Sequence, residues 1–265
     1  MVTYRDLITA LHGLGIPRAR PVIAHVSLSA FGIIQGGAES VLTALLANFD
    51  TLVMPTFTYK TMLTPESGPP DNGMLYGSRK DQNCMAEFFR LKMPADRLMG
   101  VVPEVMRRHP QASRSMHPIL SFAGVNAERV LKAQTIVDPL GPIQTLMEEN
   151  GWVVLLGVDH TVNTSIHLGE RQAGRKQFVR WALTPRGVQE CPGFPGCSDG
   201  FRALAPSLED SVRRLNVGQA QVQALPLEDL VEKARARVVH DPLALLCECT
   251  YCERCLAVRA SLPGG

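Results

Sequence analysis

No apolar run in this 265-residue chain approaches the roughly 20 residues that a membrane-spanning helix needs, so bilayer-embedded functions are set aside. An excess of one charge is also missing. Lys and Arg number 27 against 25 Asp and Glu, and a net +2 gives no footing for a nucleic-acid surface or a basic membrane patch. Neither G-x-G-x-x-G nor G-x-x-x-x-G-K-S/T occurs, so a dinucleotide fingerprint and a P-loop are both unsupported. There are no internal repeats and no Pro/Ser-rich linker. One domain over residues 1–265 is therefore expected, with a cysteine-rich C-terminal segment at 241–265. The opening MVTYRDLITALHGLG has the spacing of an amphipathic helix and lacks the unbroken apolar core of a signal peptide. That makes the cytoplasm the expected location.

What is present is ordinary soluble chemistry, 45% apolar and 20% charged, around one informative stretch, GWVVLLGVDHTVNTSIHLGE (151–170). Trp152–Val158 is a short apolar run closed by a glycine, which reads as a central strand of an α/β sheet. The chain then turns through Asp159–Thr161 and is expected to enter a helix at Asn163. Strand-to-helix junctions lie at the carboxyl edge of a sheet, where α/β proteins place ligands. This one carries His160, Asn163, Thr164, His167 and Glu170. On a helix, Asn163, His167 and Glu170 share a face. An imidazole titrates near neutrality and a carboxylate beside it holds its charge, so the pair suits a general base. A helix-start Asn with a salt-linked His is the plainer alternative.

Along the chain, the patterns predict a helix over Thr3–Leu14, a strand over 21–28 and a helix over Ala38–Asn48. The turn FGIIQGG between the last two would present backbone N–H groups to a phosphate or simply be tight. Ser27 and Ser29 project to the same side of the extended segment. A strand at Thr51–Met54 precedes a long loop, about 60–80, and a short helix at Met85–Leu91. Further helices are expected at Met99–Arg108, Ala127–Ala133, Ile143–Asn150, Ser207–Leu215 and Leu227–Val239. Strands are expected at Gln177–Leu183 and Ala220–Leu225, with a turn-rich stretch at Gly187–Gly200. Arg114 and Ser115, before His117-Pro118, form an anion clamp by donor type, or a solvated turn.

Seven cysteines need separate treatment. A reducing cytosol disfavours disulfides, so metal binding or reduced core thiols are the alternatives. Four thiolates suit structural zinc, and an iron–sulfur cluster is open by ligand type. Cys247, Cys249, Cys252 and Cys255 are denser than two separated zinc knuckles. A pair from Cys191 and Cys197 with a pair from the C-terminal four fits better.

Taken together, the blocks HVSLSAFGIIQGG (25–37), TLVMPTFT (51–58), MGVVPEVMRRHPQASRSMHPILSFAG (99–124), GPIQTLMEENGWVVLLGV (141–158) and NTSIHLGE (163–170) resemble the aminoglycoside 3-N-acetyltransferases. This antibiotic acetyltransferase family is not of the GNAT type, and no Q/R-x-x-G-x-G/A pyrophosphate loop is found. The resemblance implies an α/β fold with a central mixed sheet flanked by helices, acetyl-CoA as cosubstrate and a small-molecule amine as acceptor. It implies His167 as general base, with Glu170 and Glu104 as its carboxylate partners. It places His25, Ser27, Leu28 and Ser29 along the pantetheine and phosphates of CoA, and Arg114 and Ser115 at the phosphates. Thr164 and His117 would stand near the thioester, unless His117 only shapes its turn.

A polycationic acceptor calls for several carboxylates. The 59–98 loop mixes Glu66, Asp71, Asp81, Glu87 and Asp96 with Lys60, Arg79, Lys80, Arg90, Lys92 and Arg97. A different amine therefore stays open as acceptor. So do a CoA-binding protein without catalysis and a metal-dependent hydrolase built on His160, His167, Glu170 and nearby cysteines. The oligomeric state is left open, with a dimer among the options.

Overall fold

The computed structural model describes residues 1–77 and 80–262. The first half of the chain forms α1 (Tyr4–Gly13), β1 (Val22–Val26), α2 (Gly37–Asn48), β2 (Leu52–Pro55), β3 (Met62–Leu63) and α3 (Lys80–Asn83). It continues with α4 (Val101–Arg108), β4 (Ala112–Arg114), β5 (Phe122–Val125), α5 (Glu128–Lys132) and α6 (Gly141–Glu148). The second half adds β6 (Trp152–Leu156), α7 (Ile166–Gln172), β7 (Phe178–Thr184) and β8 (Gly187–Phe194). It ends with β9 (Arg213–Val217), β10 (Ala220–Pro226), α8 (Leu227–His240) and α9 (Glu253–Ala260).

Seven strands make one mixed sheet in the order β4-β5-β2-β1-β6-β10-β9, and β3-β7-β8 form a smaller antiparallel one. β1 lies parallel to both β2 and β6, in register Val22↔Trp152 to Val26↔Leu156 with the latter. Every residue of β1 and β6 is buried, which explains their unbroken apolar runs: such strands are covered on both faces. Alternate residues feed two cores. Ile23, Val153 and Leu155 pack with Ile143 and Leu146 of α6, Leu168 of α7 and Leu230 and Ala234 of α8. Val22, Ala24, Val154 and Leu156 pack with Leu7 and Leu11 of α1, Leu45 of α2 and Met106 of α4. Each fully buried leucine in these layers stabilises the fold by about 2 kcal/mol.

The first helix starts where the sequence places it. Thr3 caps it, accepting the Asp6 N–H while the Asp6 carboxylate accepts the Thr3 N–H, a reciprocal capping box. Other segments differ from the sequence expectation. Met85–Leu91 is not helical: Glu87 donates its N–H to Lys60 O and Phe89 to Leu183 O, so the backbone satisfies itself across the fold. Gly187–Gly200 begins as strand β8, paired with β7. Ser207–Leu215 is no helix either. A 3₁₀ segment ends at Leu208 and β9 follows as an edge strand, turned into β10 by Gly218-Gln219. Gly218 has φ +57°, and a Cβ there would stand 2.5 Å from Val2 Cγ2. This is the two-residue hairpin turn that glycine permits.

Candidate active site

β6 stops at Gly157, whose φ is +67° and where a Cβ would lie 2.5 Å from that of Ala30. A 3₁₀ turn, His160–Val162, follows, capped by the Asp159 carboxylate accepting the Thr161 N–H. α7 begins only at Ile166, not at Asn163. Asn163 instead closes the turn, its side-chain oxygen accepting the Ser165 N–H. The expected single face for Asn163, His167 and Glu170 is therefore reduced to the last two.

Those two form the centre of the site. His167 Nδ1 lies 2.7 Å from Glu170 Oε2, the i,i+3 contact of one helical turn. The other carboxylate oxygen accepts a hydrogen bond from Arg175 at 2.9 Å. Arg175 in turn donates to the carbonyls of Pro242 and Ala244 in the C-terminal segment. All three side chains are buried. A buried carboxylate is tolerated when its lone pairs are met by a cation and further donors, and that is its situation here. With Nδ1 taken, Nε2 is left for the cleft. The Phe201 ring packs edge-on against the imidazole, with centroids 4.7 Å apart.

His167 borders a cleft of about 1000 Å³ at the carboxyl edge of the main sheet. One wall is the end of β1, where His25, Ser27, Leu28 and Ser29 all line the space, joined by Thr164. The first turn of α4, at Gly100 and Val101, closes another side with Arg97. The opposite wall comes from Gly196, Ser198, Asp199 and Arg254. His25 is buried, its Nε2 without a partner, and burial together with the neighbouring His160 lowers its pKa to about 3. It is a neutral ring among the cleft-lining residues.

Four other expected residues sit elsewhere. Glu104 does not partner His167. Its carboxylate accepts from Arg107, Arg108 and the Ala95 N–H. Burial alone would raise its pKa, but these donors pull it down to about 2. The i+3 and i+4 arginines of the same helix outcompete a distant imidazole. Arg114 is no phosphate clamp in this geometry: its guanidinium is spent on Leu91 O, Met93 O, Thr56 O and Ser121 Oγ. Ser115 Oγ accepts the Phe122 N–H and bonds Gln134. His117 stays out of the cleft, Nδ1 accepting the N–H groups of Ile119 and Leu120, so it shapes its turn.

Of the six cysteines considered for a metal, Cys197, Cys247, Cys252 and Cys255 bring their sulfurs within 4.8 Å of one another, a group able to hold an ion. Cys191 and Cys249 are not in it. Cys191 bonds Gln189 O instead, and burial pushes its thiol up to about 12. The set is thus one residue before position 200 and three after 240, not two pairs. Arg175, Asp199 and Arg254 carry no motif and went unnoticed in the sequence. Of the expected acceptor loop, Arg79 lies outside the described residues. No described helix is long and apolar enough to cross a membrane.

A sequence profile of the aminoglycoside 3-N-acetyltransferases matches residues 23–238. The chain is 30% identical over 186 residues to the SPbeta prophage-derived aminoglycoside N(3')-acetyltransferase-like protein YokD of Bacillus subtilis, covering 67% of this chain and 68% of that one. It is 26% identical over 264 residues to aminoglycoside N(3)-acetyltransferase III of Salmonella, covering 87% and 89%. The crystal structure of the aminoglycoside acetyltransferase AAC(3)-IVa apoenzyme superimposes with a TM-score of 0.80 at 26% identity, over 98% of each chain.

Proposed function

Because the chain belongs to the aminoglycoside 3-N-acetyltransferase family of acyltransferases, we propose that it moves the acetyl group of acetyl-CoA onto an amine of an aminoglycoside-like acceptor, with His167 as general base. The observation that carries this reading is the buried series His167–Glu170–Arg175, which fixes the ring through Nδ1 and leaves Nε2 toward a cleft. The amine nitrogen attacks the thioester carbon as Nε2 takes its proton, and the C–S bond breaks to release the thiol of CoA, which receives a proton. Glu170 holds the Nδ1–H and balances the charge of the imidazolium. Such proton transfer typically contributes about 10²–10⁴-fold to rate. Thr164, at the cleft surface, is the hydroxyl placed to donate to the thioester oxygen or the departing sulfur.

CoA is read along His25, Ser27, Leu28 and Ser29, with its phosphates toward the first turn of α4 and Arg97. Arg114 and Ser115 are left out of that role because their donors are already used. Six thiols in the second half fit a reducing cytoplasm, and zinc on the cysteine group would be structural, outside the transfer step. A second reading is favoured by charge: the cleft is lined by one carboxylate, Asp199, against Arg97 and Arg254. A smaller or less cationic amine suits that lining better than a polycation. The test is thiol release from acetyl-CoA over a panel of aminoglycosides and simple amines. Turnover of any amine supports acetyl transfer, and the preferred one identifies the acceptor class. Absence of turnover on every amine, with no thermal shift from CoA, would sink the proposal.

A further inference from the structure

Four thiols outside the transfer machinery converge on one point. Cys197 follows β8, Cys247 and Cys252 precede α9, and Cys255 is in its first turn. Their sulfurs lie within 4.8 Å of one another, and Cys197, Cys247 and Cys255 are buried. Tetrahedral zinc with Zn–S of about 2.3 Å spaces its sulfurs by about 3.8 Å, so the group has the size of one coordination shell. Cys247 and Cys255 are 3.4 Å apart at sulfur, far longer than the disulfide bond length of about 2.05 Å.

The surroundings point the same way. Arg254 donates to Gly196 O and Arg259 to Cys247 O, bringing cations beside a shell of four anionic ligands. Sulfur donors only, in tetrahedral number, select zinc among the common divalent ions.

The ligand loop also reaches the cleft. Gly196, Ser198 and Asp199, which flank Cys197, and Arg254, between Cys252 and Cys255, all line it. The loop continues to Phe201 against the His167 ring. We propose that Cys197, Cys247, Cys252 and Cys255 hold one structural Zn²⁺, and that the ion fixes the cleft wall facing the acceptor. The metal site stands on the sulfur geometry; its effect on the acceptor rests on the acetyl-transfer reading.

The experiment uses the full chain purified from zinc-supplemented cells, with metal per chain measured by mass spectrometry for wild type, Cys252→Ser and Cys249→Ser. Wild type and Cys249→Ser should carry about one zinc each, and Cys252→Ser at least about tenfold less. In case Cys252→Ser fails to fold, cobalt-loaded wild type should show thiolate-to-metal charge transfer and tetrahedral d–d bands. Wild type without zinc, Cys252→Ser with undiminished zinc, or a disulfide among the four overturns the site. Stripping zinc should raise the KM for the amine about tenfold while the thermal shift from CoA persists, since a loosened wall misplaces the acceptor. An unchanged KM contradicts the cleft-wall part. Failure of every amine to turn over would count against acetyl transfer alone, because the metal counts still decide the site.

Discussion

Glu170 is shared by two residues, and that sharing has a measurable consequence. One oxygen faces His167 and the other Arg175, with the carboxylate only 2% exposed. Removing one member of a buried ion pair leaves an uncompensated charge and costs about 3–5 kcal/mol. Arg175→Met should therefore lower the unfolding free energy in urea by about 3 kcal/mol, and adding Glu170→Gln should restore part of it. Additive losses would mean that the two groups do not interact. His117 gives a pH-dependent case. Burial lowers its pKa from 6.5 to about 4. Between those values the unfolded chain binds a proton that the native chain does not, so stability rises with pH across the window. The contribution, of order 3 kcal/mol, is present above pH 6.5 and lost as pH falls through 4. His25, held near 3 mainly by burial, adds to the loss with the same sign. Asn supplies an acceptor for the Ile119 and Leu120 N–H groups without titrating. His117→Asn should thus keep the melting temperature at about pH 7.5 and show a shallower fall toward about pH 4. Parallel profiles for the two proteins would contradict this.

At the scale of elements, α7 carries His167, the proposed base, and packs closely on α8. Gly169, between His167 and Glu170, is where the two helices touch: a Cβ there would lie 2.6 Å from Val231 O and 2.7 Å from the Cβ of Ala234. Gly169→Ala should force the helices apart, costing about 1–3 kcal/mol and lowering kcat about tenfold or more through a displaced His167. Urea unfolding and steady-state kinetics measure both, and full activity with full stability in Gly169→Ala would show that the contact is dispensable. The elements that the sequence made legible are those whose pattern is set locally or by burial on both faces: α1 with its Thr3–Asp6 box, β1, β6 and α8. β8 and β9 were missed because their residues answer to partners. β9 is half-exposed, rich in arginine, and becomes a strand only through pairing with β10. Asn163 was placed in α7 because the Asx turn that delays the helix looks identical, in sequence, to a helix start.

For the whole molecule, the cleft is assembled from segments far apart in the chain: the end of β1, the start of α4, α7, and a wall built by Gly196, Ser198, Asp199 and Arg254. The His167–Glu170 spacing could be read directly, since i,i+3 on a helix suffices. The partners that complete the site could not. Arg175 matters through carbonyls of residues 242 and 244, and Glu104 is diverted by arginines on its own helix. Likewise, the sequence could pair Cys191 and Cys197 with the C-terminal cysteines but could not say which members meet; the fold gathers Cys197 with Cys247, Cys252 and Cys255 and leaves Cys191 and Cys249 out. The most direct measurement of the central claim compares wild type with His167→Ala in thiol release from acetyl-CoA and the preferred amine, with CoA binding followed by thermal shift. The expected result is a loss of turnover of about 10²–10⁴-fold with CoA affinity held within about threefold, because the proposed mechanism has His167 act on the reacting amine rather than on the body of CoA. Retained turnover in His167→Ala would contradict its role as the base.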